Sequence, residues 1–499
     1  MSDESVAHAL RSDSRFVVVE APGGCGKTYQ GADYARWAAE RFTNGRILIL
    51  THTHAACGVF ASRIGDKKDR VDVRTVDGLI GQIASAYHTA IDLPKDTGTW
   101  ARCRKDGYSQ LAVKVAALLR ASPVIARSLA ERYPVIVCDE HQDASPEQHA
   151  IAIACHNAGA ALRIFCDPMQ SIYGGQEALW AELRQKATVA DKLDRPHRWL
   201  RGFEELGQWI LSARATLRDG GRIDLRGKLP SGLSVIFAEN QSPRWGGLQW
   251  ASDEAKPLYD LERQVSTLLV LAADNATVNS LRGLFKLRMP IWEGHVRDSL
   301  SRLVLAAKEH AGDCRKIATA CVAFLEAVST GFTATAYSKK LLDEVDGGCK
   351  DKRRGKPAAL QSLGRLIIDH PNHKGVAKFI GEVSRLIRSD PAFKPIRIDR
   401  QRELFDAMKL GDFDDPEDGF AEILRRWSFA CPAPPQKAIS TIHKAKGLEF
   451  ANVLIASCDG GHFKDHQKAR CLLYVALSRA TESLTLVVSR SKPCPLLAL

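Results

Sequence analysis

No apolar run in this sequence approaches the roughly 18 residues that a membrane-spanning helix needs, which argues against a helical membrane protein. No two cysteines form a Cys-x-x-Cys pair and their number, 13, is odd, so neither a zinc site nor a disulfide framework is implied. Cys138, Cys166 and Cys458 lie inside apolar runs, where a small buried thiol packs as a hydrophobe. The opening segment MSDESVAHALRSDSRF is polar and carries acids, unlike a secretory leader, and a cytoplasmic location is expected. Repeats of fixed short period and low-complexity tracts are missing too, which sets aside solenoid arrays and biased disordered chains.

What remains is globular composition: 45% hydrophobic and 26% charged residues over 499 positions. A chain of that length exceeds one ordinary core, so two to four domains are expected. The formal charge is +12, with a sequence pI near 9.1. That excess suits a polyanionic partner, although charge speaks to electrostatics and not to fold.

Short Val/Ile/Leu runs alternate with helical segments: FVVVE (16–20), RILILT (46–51), YPVIVCDE (133–140) and LRIFCDP (162–168). This rhythm predicts a parallel sheet with crossover helices. It restarts after residue 200 with STLLVLAADN (266–275), and again with KAISTI, NVLIASC and LTLVVS near the end. The predicted fold is α/β: two parallel-sheet lobes, each with a mostly helical insertion. The first lobe comprises 1–77 and 126–200, interrupted by a small helical insertion at 78–125. The second comprises 201–290 and 431–499, interrupted by a helical insertion at 291–430. CPAPPQ (431–436) reads as a linker.

APGGCGKT (21–28) follows a strand and precedes a helix, where a phosphate-binding loop belongs. Gly23, Gly24, Cys25 and Gly26 would let backbone N–H groups curl around phosphate oxygens. Lys27 would reach the terminal phosphates and Thr28 would offer its hydroxyl to Mg²⁺. Ala21 stands where the strict motif has its first Gly. In VIVCDEHQD (135–143) an apolar strand delivers two carboxylates to the sheet's carboxyl edge. Asp139 would hold Mg²⁺, and Glu140 would orient or deprotonate the attacking water. ATP and Mg²⁺ are the cofactors implied.

In their order these residues resemble the superfamily 1A helicases typified by UvrD, Rep and PcrA, which implies that the two parallel-sheet lobes, each with its mostly helical insertion, are RecA-like. DEHQD is close to that family's DExQD. CDPMQSIYGG (166–175) resembles its third motif, which implies Gln170 as a γ-phosphate sensor. LDRPHRW (193–199) implies Arg198 as a second phosphate contact. ISTIHKAKGLEF (439–450) is similar to the fifth motif, placing Glu449 near the ribose. LLYVALSRA (472–480) resembles the sixth, with Arg479 in the arginine-finger role. The resemblance also implies a single-stranded or partly duplex DNA track. Thr51, His52 and Thr53 of THTHAA, Thr75 of TVDG, Tyr173, His443 and Lys446 are its candidate contacts.

Departures from the family lie mostly on the DNA side. The upstream glutamine that reads adenine should fall near residue 6, and no Gln precedes the phosphate loop; Tyr29 offers stacking instead. Gly175 and Gln176 replace an aromatic and an arginine, with Trp180 a helical turn further, and Ala273 replaces a further arginine. The leading expectation is a DNA-stimulated ATPase moving 3′ to 5′. The alternative is a nucleotide-gated DNA sensor that licenses a partner, a nuclease subunit being the candidate. Compact UvrD-like subunits of anti-phage systems such as Gabija have about this size and layout. Repair and defence both stay open as settings. The basic run KDKRRGKP (350–357) reads as a solvated loop before a duplex-binding patch.

Overall fold

The computed structural model describes residues 2–102, 104, 106–173, 177–241, 248–285, 288–292, 298–351, 354–430 and 434–499. Gly175, Gln176, two residues of the basic run (352 and 353) and the start of the proposed linker (431–433) lie outside them. The chain divides into two compact units. One contains 1–95, 109–294 and 433–499; the other contains 96–108 and 295–432.

The first unit is built on two parallel sheets. Strands β1 (Phe16–Glu20), β2 (Ile47–Thr51), β3 (Val71–Thr75), β4 (Val135–Cys138), β5 (Ala161–Cys166) and β6 (Val189–Lys192) form a six-stranded sheet in the order β3-β2-β4-β5-β1-β6. All five of its pairings are parallel. The central strands read as near-continuous apolar runs because helices cover both faces, leaving no side for water. Val17, Val18, Ile49, Val137 and Ile164 are fully buried accordingly.

A second, five-stranded sheet uses β7 (Leu233–Phe237), β8 (Leu268–Ala272), β9 (Lys437–Thr441), β10 (Phe450–Cys458) and β11 (Ala480–Val488), in the order β9-β8-β10-β11-β7. These strands also pair in parallel throughout. The fold is therefore α/β with two RecA-like lobes. Trp199 is fully buried beneath the second sheet's core, with its indole N–H donating to the Ala480 carbonyl at 2.9 Å. That contact ties the end of the first lobe's segment to the second lobe.

The other unit is helical, with a core around Phe324, Phe379 and Phe393. Residues 96–108, anticipated as part of a single insertion at 78–125, group with this unit, while 109–125 group with the sheets. Lys356, at the end of the basic run, lies 3.6 Å from the Tyr337 ring centroid, so part of that run is occupied within its own unit. Among the described residues, no single helix is long and apolar enough to cross a membrane.

Candidate active site

In an open parallel sheet, ligands gather at the carboxyl ends of the strands, because there the loops diverge and helix N-termini point inward. The loops after β1, β2, β4, β5 and β6 carry the phosphate loop, His52, the two carboxylates, Gln170 and Arg198, respectively. A single sheet edge thus collects residues spread over nearly 180 positions of sequence.

The phosphate loop turns through Gly24 and Gly26, both at φ +83°, a region that side chains rarely adopt. The helix Lys27–Arg41 starts immediately after. A Cβ on Gly24 would sit 2.6 Å from the Trp199 ring, so glycine is required there by space as well as by φ. The Arg198 backbone N–H donates to the Gly24 carbonyl at 3.1 Å. The Gly23 N–H donates to the Tyr474 hydroxyl at 2.9 Å, which joins the loop to the second lobe. Cys25 is buried and its thiol is pushed up to about 12 by burial. Thr28 is partly exposed and Tyr29 is exposed.

Lys27 is nearly buried and its ammonium bonds Glu140, with Asp139 Oδ1 at 3.8 Å. Burial alone would lower the Lys27 pKa, but the charges of Glu140 and Asp139 outweigh it and raise it. Burial pushes the Asp139 carboxyl up to about 6 against the pull of Lys27. For Glu140 burial is overcome by the Lys27 and Lys446 charges, which bring it down to about 2. Glu140 itself sits at φ 52°, ψ 38°, in the left-handed region. Such strain in a non-glycine residue persists only where surroundings hold it, and it concentrates at functional sites. Here the Gln142 amide donates to Glu140 and accepts from the Asp167 N–H at 3.0 Å.

Among the described residues no cluster of three or more His, Cys, Asp or Glu is arranged as a metal site. A nucleotide-borne cation is a different case. Asp139 Oδ1 is buried without a hydrogen-bond partner among the described residues, beside the start of the phosphate-loop helix. That orphaned oxygen and the Thr28 hydroxyl fit a hard divalent cation.

Gln170 lies against the loop: a Cβ on Gly23 would be 3.0 Å from its Nε2, which donates to Asp167 Oδ2 at 2.8 Å. Arg198 bonds the Ser478 carbonyl and the Glu449 carboxylate, both from the second lobe. Glu449 is thus engaged by an arginine. Arg479, expected to point at phosphate, is buried and spends its guanidinium inside the protein. It donates to the Val475 carbonyl at 2.9 Å, the Leu448 carbonyl at 3.2 Å and Ser478 Oγ at 2.8 Å. Burial and the nearby Arg198 charge lower its pKa to about 10.

Of the candidate strand contacts, Thr51 is buried at the end of β2. Thr53 and Thr75 each cap a helix, accepting from the Ala56 N–H at 3.1 Å and the Gly78 N–H at 3.0 Å. Both therefore stand at helix N-termini, which attract phosphate. His52 is half-buried, with Nε2 lacking a hydrogen-bond partner among the described residues, and burial lowers its pKa. Tyr173 is exposed, with His443 at 6.1 Å between ring centroids and the Lys446 ammonium 5.5 Å from its ring. Lys446, expected as a strand contact, is drawn into the cleft. Its ammonium bonds the Asp143 carboxylate and the Gln170 carbonyl, each at 2.6 Å.

Several site residues carry no motif signal. Arg214 is buried on the helix Glu204–Arg218 and grips Asp167 Oδ1 with two N–H groups, at 3.0 and 2.6 Å, and Glu20 at 2.7 Å. Asp167 was legible only as part of CDPMQSIY, and Tyr474 as part of LLYVALSRA. Near residue 6, where the family's glutamine is missing, Val6 is buried in the core. Asp3 stands nearby instead, bonded to His197 at 2.7 Å and accepting at its carbonyl from Gln30 at 3.2 Å.

Two segments match family models: residues 97–188 match the UvrD/REP helicase N-terminal domain, and residues 438–487 match the UvrD-like helicase C-terminal domain. The RecBCD enzyme subunit RecB of Mycobacterium tuberculosis, in two strains, is 34% identical over 74 residues. That match spans 15% of this chain and 7% of the relative. Among solved structures, the Pif1 helicase of Candida albicans aligns over 97% of this chain and 93% of that one, with 11% identity and a TM-score of 0.38.

Proposed function

We propose that this chain, a UvrD/Rep-like member of helicase superfamily 1, is a DNA-dependent ATPase that moves along or unwinds DNA. The observation that carries the reading is the Lys27–Glu140–Asp139 cluster at the mouth of the phosphate loop. In this arrangement Lys27 neutralises Glu140. An incoming triphosphate competes for the ammonium, so Glu140 is released as Lys27 moves to the phosphates. The freed carboxylate, held in its turn by Gln142, then accepts a proton from the attacking water. Thr28 and Asp139 would hold Mg²⁺, which offsets charge on the transferred phosphoryl.

Arg198 and the Gly23–Tyr474 bond both cross between lobes, so nucleotide binding is positioned to bias lobe closure. Strand binding at the capped helices of Thr53 and Thr75, with Tyr173 stacking on a base, would couple the same motion to translocation. Movement 3′ to 5′ is the polarity that the resemblance implies. The buried Arg479, bonded to three acceptors of the protein itself, favours a second reading. In it the protein hydrolyses slowly until DNA or a partner, such as a nuclease, rearranges the loop after the helix Gln467–Leu477. ATP hydrolysis with and without single-stranded DNA tests both, beside Glu140→Gln. Stimulation lost in that variant supports the motor; DNA binding without stimulation supports the gated sensor.

A further inference from the structure

A cavity of about 780 Å³ lies among the helices Gly107–Ala121, Pro123–Arg132, Pro146–Asn157 and Glu177–Lys186 of the first lobe. No residue of the phosphate loop or of the catalytic carboxylate pair lines it. Leu119, Ala126, Ile153 and Leu179 supply apolar walls. Arg120, Arg127, Glu182 and Lys186 line it too; Glu182 pairs with Lys186 at 2.6 Å, and neither arginine makes an ion pair among the described residues.

One polar side chain of the lining is buried. His149 is 6% exposed, and its Nε2 has no hydrogen-bond partner among the described residues, with Glu182 3.6 Å away. Its Nδ1 meets Nε2 of the buried His141 at 3.0 Å. A neutral imidazole carries one proton, so when Nδ1 accepts from His141, Nε2 is a donor whose facing acceptor, the Glu182 carboxylate, stands at 3.6 Å, beyond close hydrogen-bond distance. His141 directly follows Glu140, the residue held in the left-handed turn.

We propose that this cavity is an effector site for a small organic anion, an apolar body carrying a carboxylate, sulfonate or phosphate. Its occupancy is transmitted through His149 and His141 to the Glu140 turn. The volume falls within the roughly 300–1,000 Å³ of small-molecule sites, and a few polar groups on apolar walls are what such sites offer. Arg120 and Arg127 supply charge-assisted bonds to the anion, and His149 fixes it at depth. The transmission half rests on the reading of Glu140 as the water-activating base; the binding half does not.

The test uses the full chain and anilinonaphthalene sulfonate as probe. Fluorescence titration is expected to give one saturable site. Arg120→Glu/Arg127→Glu and, separately, Leu179→Trp, which fills the cavity, each weaken it roughly tenfold or more. Unaltered titrations in both variants, or no saturable site in the parent protein, overturn the proposal. In the second arm, saturating probe changes kcat of ATP hydrolysis at least about twofold with KM unchanged. The response disappears in His149→Leu and persists in His149→Asn, whose amide retains a partner for His141. Probe binding without any change in kcat overturns the transmission. A parent protein that hydrolyses no ATP refutes the motor instead, and leaves the titration to decide the cavity.

Discussion

Replacing Arg214 by methionine isolates one electrostatic argument from the motifs. Arg214 is 2% exposed and holds the fully buried Asp167 by two N–H groups. Methionine keeps most of the length and apolar stem but leaves Asp167 with only neutral donors, the Gln170 amide at 2.8 Å and the Met169 N–H at 3.2 Å. Removing one partner of a buried ion pair costs about 3–5 kcal/mol, mostly from the stranded charge. Adding Asp167→Asn removes that charge while keeping an acceptor for Met169. The double variant should therefore recover about 2 kcal/mol relative to Arg214→Met, a coupling of the size seen between contacting residues. Urea denaturation followed by tryptophan fluorescence measures both values. A loss below about 1 kcal/mol in the single variant, or a deeper loss in the double, refutes the reasoning.

Glu140→Gln should lower ATP turnover by about 10²–10⁴-fold while nucleotide binding persists, as read by a steady-state assay beside a binding titration. Gly24→Ala should cost about 1–3 kcal/mol and abolish nucleotide binding, since φ is +83° and the new Cβ meets Trp199 at 2.6 Å; a variant that binds ATP normally would contradict this. His141 is lowered from 6.5 to about 3 by burial, His149 and His52. The unfolded chain takes up its proton first, so this contribution is intact above pH 6.5 and drains as pH falls toward 3, by up to about 1.4 kcal/mol per pH unit. Urea midpoints at about pH 7.5 and about pH 5.5 should converge in His141→Gln; an unchanged gap would count against it.

The nucleotide site was legible because its chemistry is local. A strand, a glycine turn and a helix start within 21–28 mark the proposed phosphate loop, and an apolar strand ending in Asp139 and Glu140 fixes where the carboxylates emerge. The strand pattern likewise determined two parallel α/β lobes, since only runs buried on both faces read as continuous Val, Ile and Leu.

Three-dimensional packing decided the rest. That Lys27 neutralises Glu140, that Lys446 turns inward to Asp143, and that Arg479 is spent on Val475, Leu448 and Ser478 are outcomes of competition among neighbours distant in sequence. The same holds for Arg214, whose partners Asp167 and Glu20 lie 47 and 194 positions away. It also holds for the cavity at His149, which four separate helices enclose. Periodicity and motif spacing record what a residue can do with its near neighbours; a charge's partner is chosen by the fold, because in a poorly solvated cleft the nearest opposite charge outweighs sequence proximity.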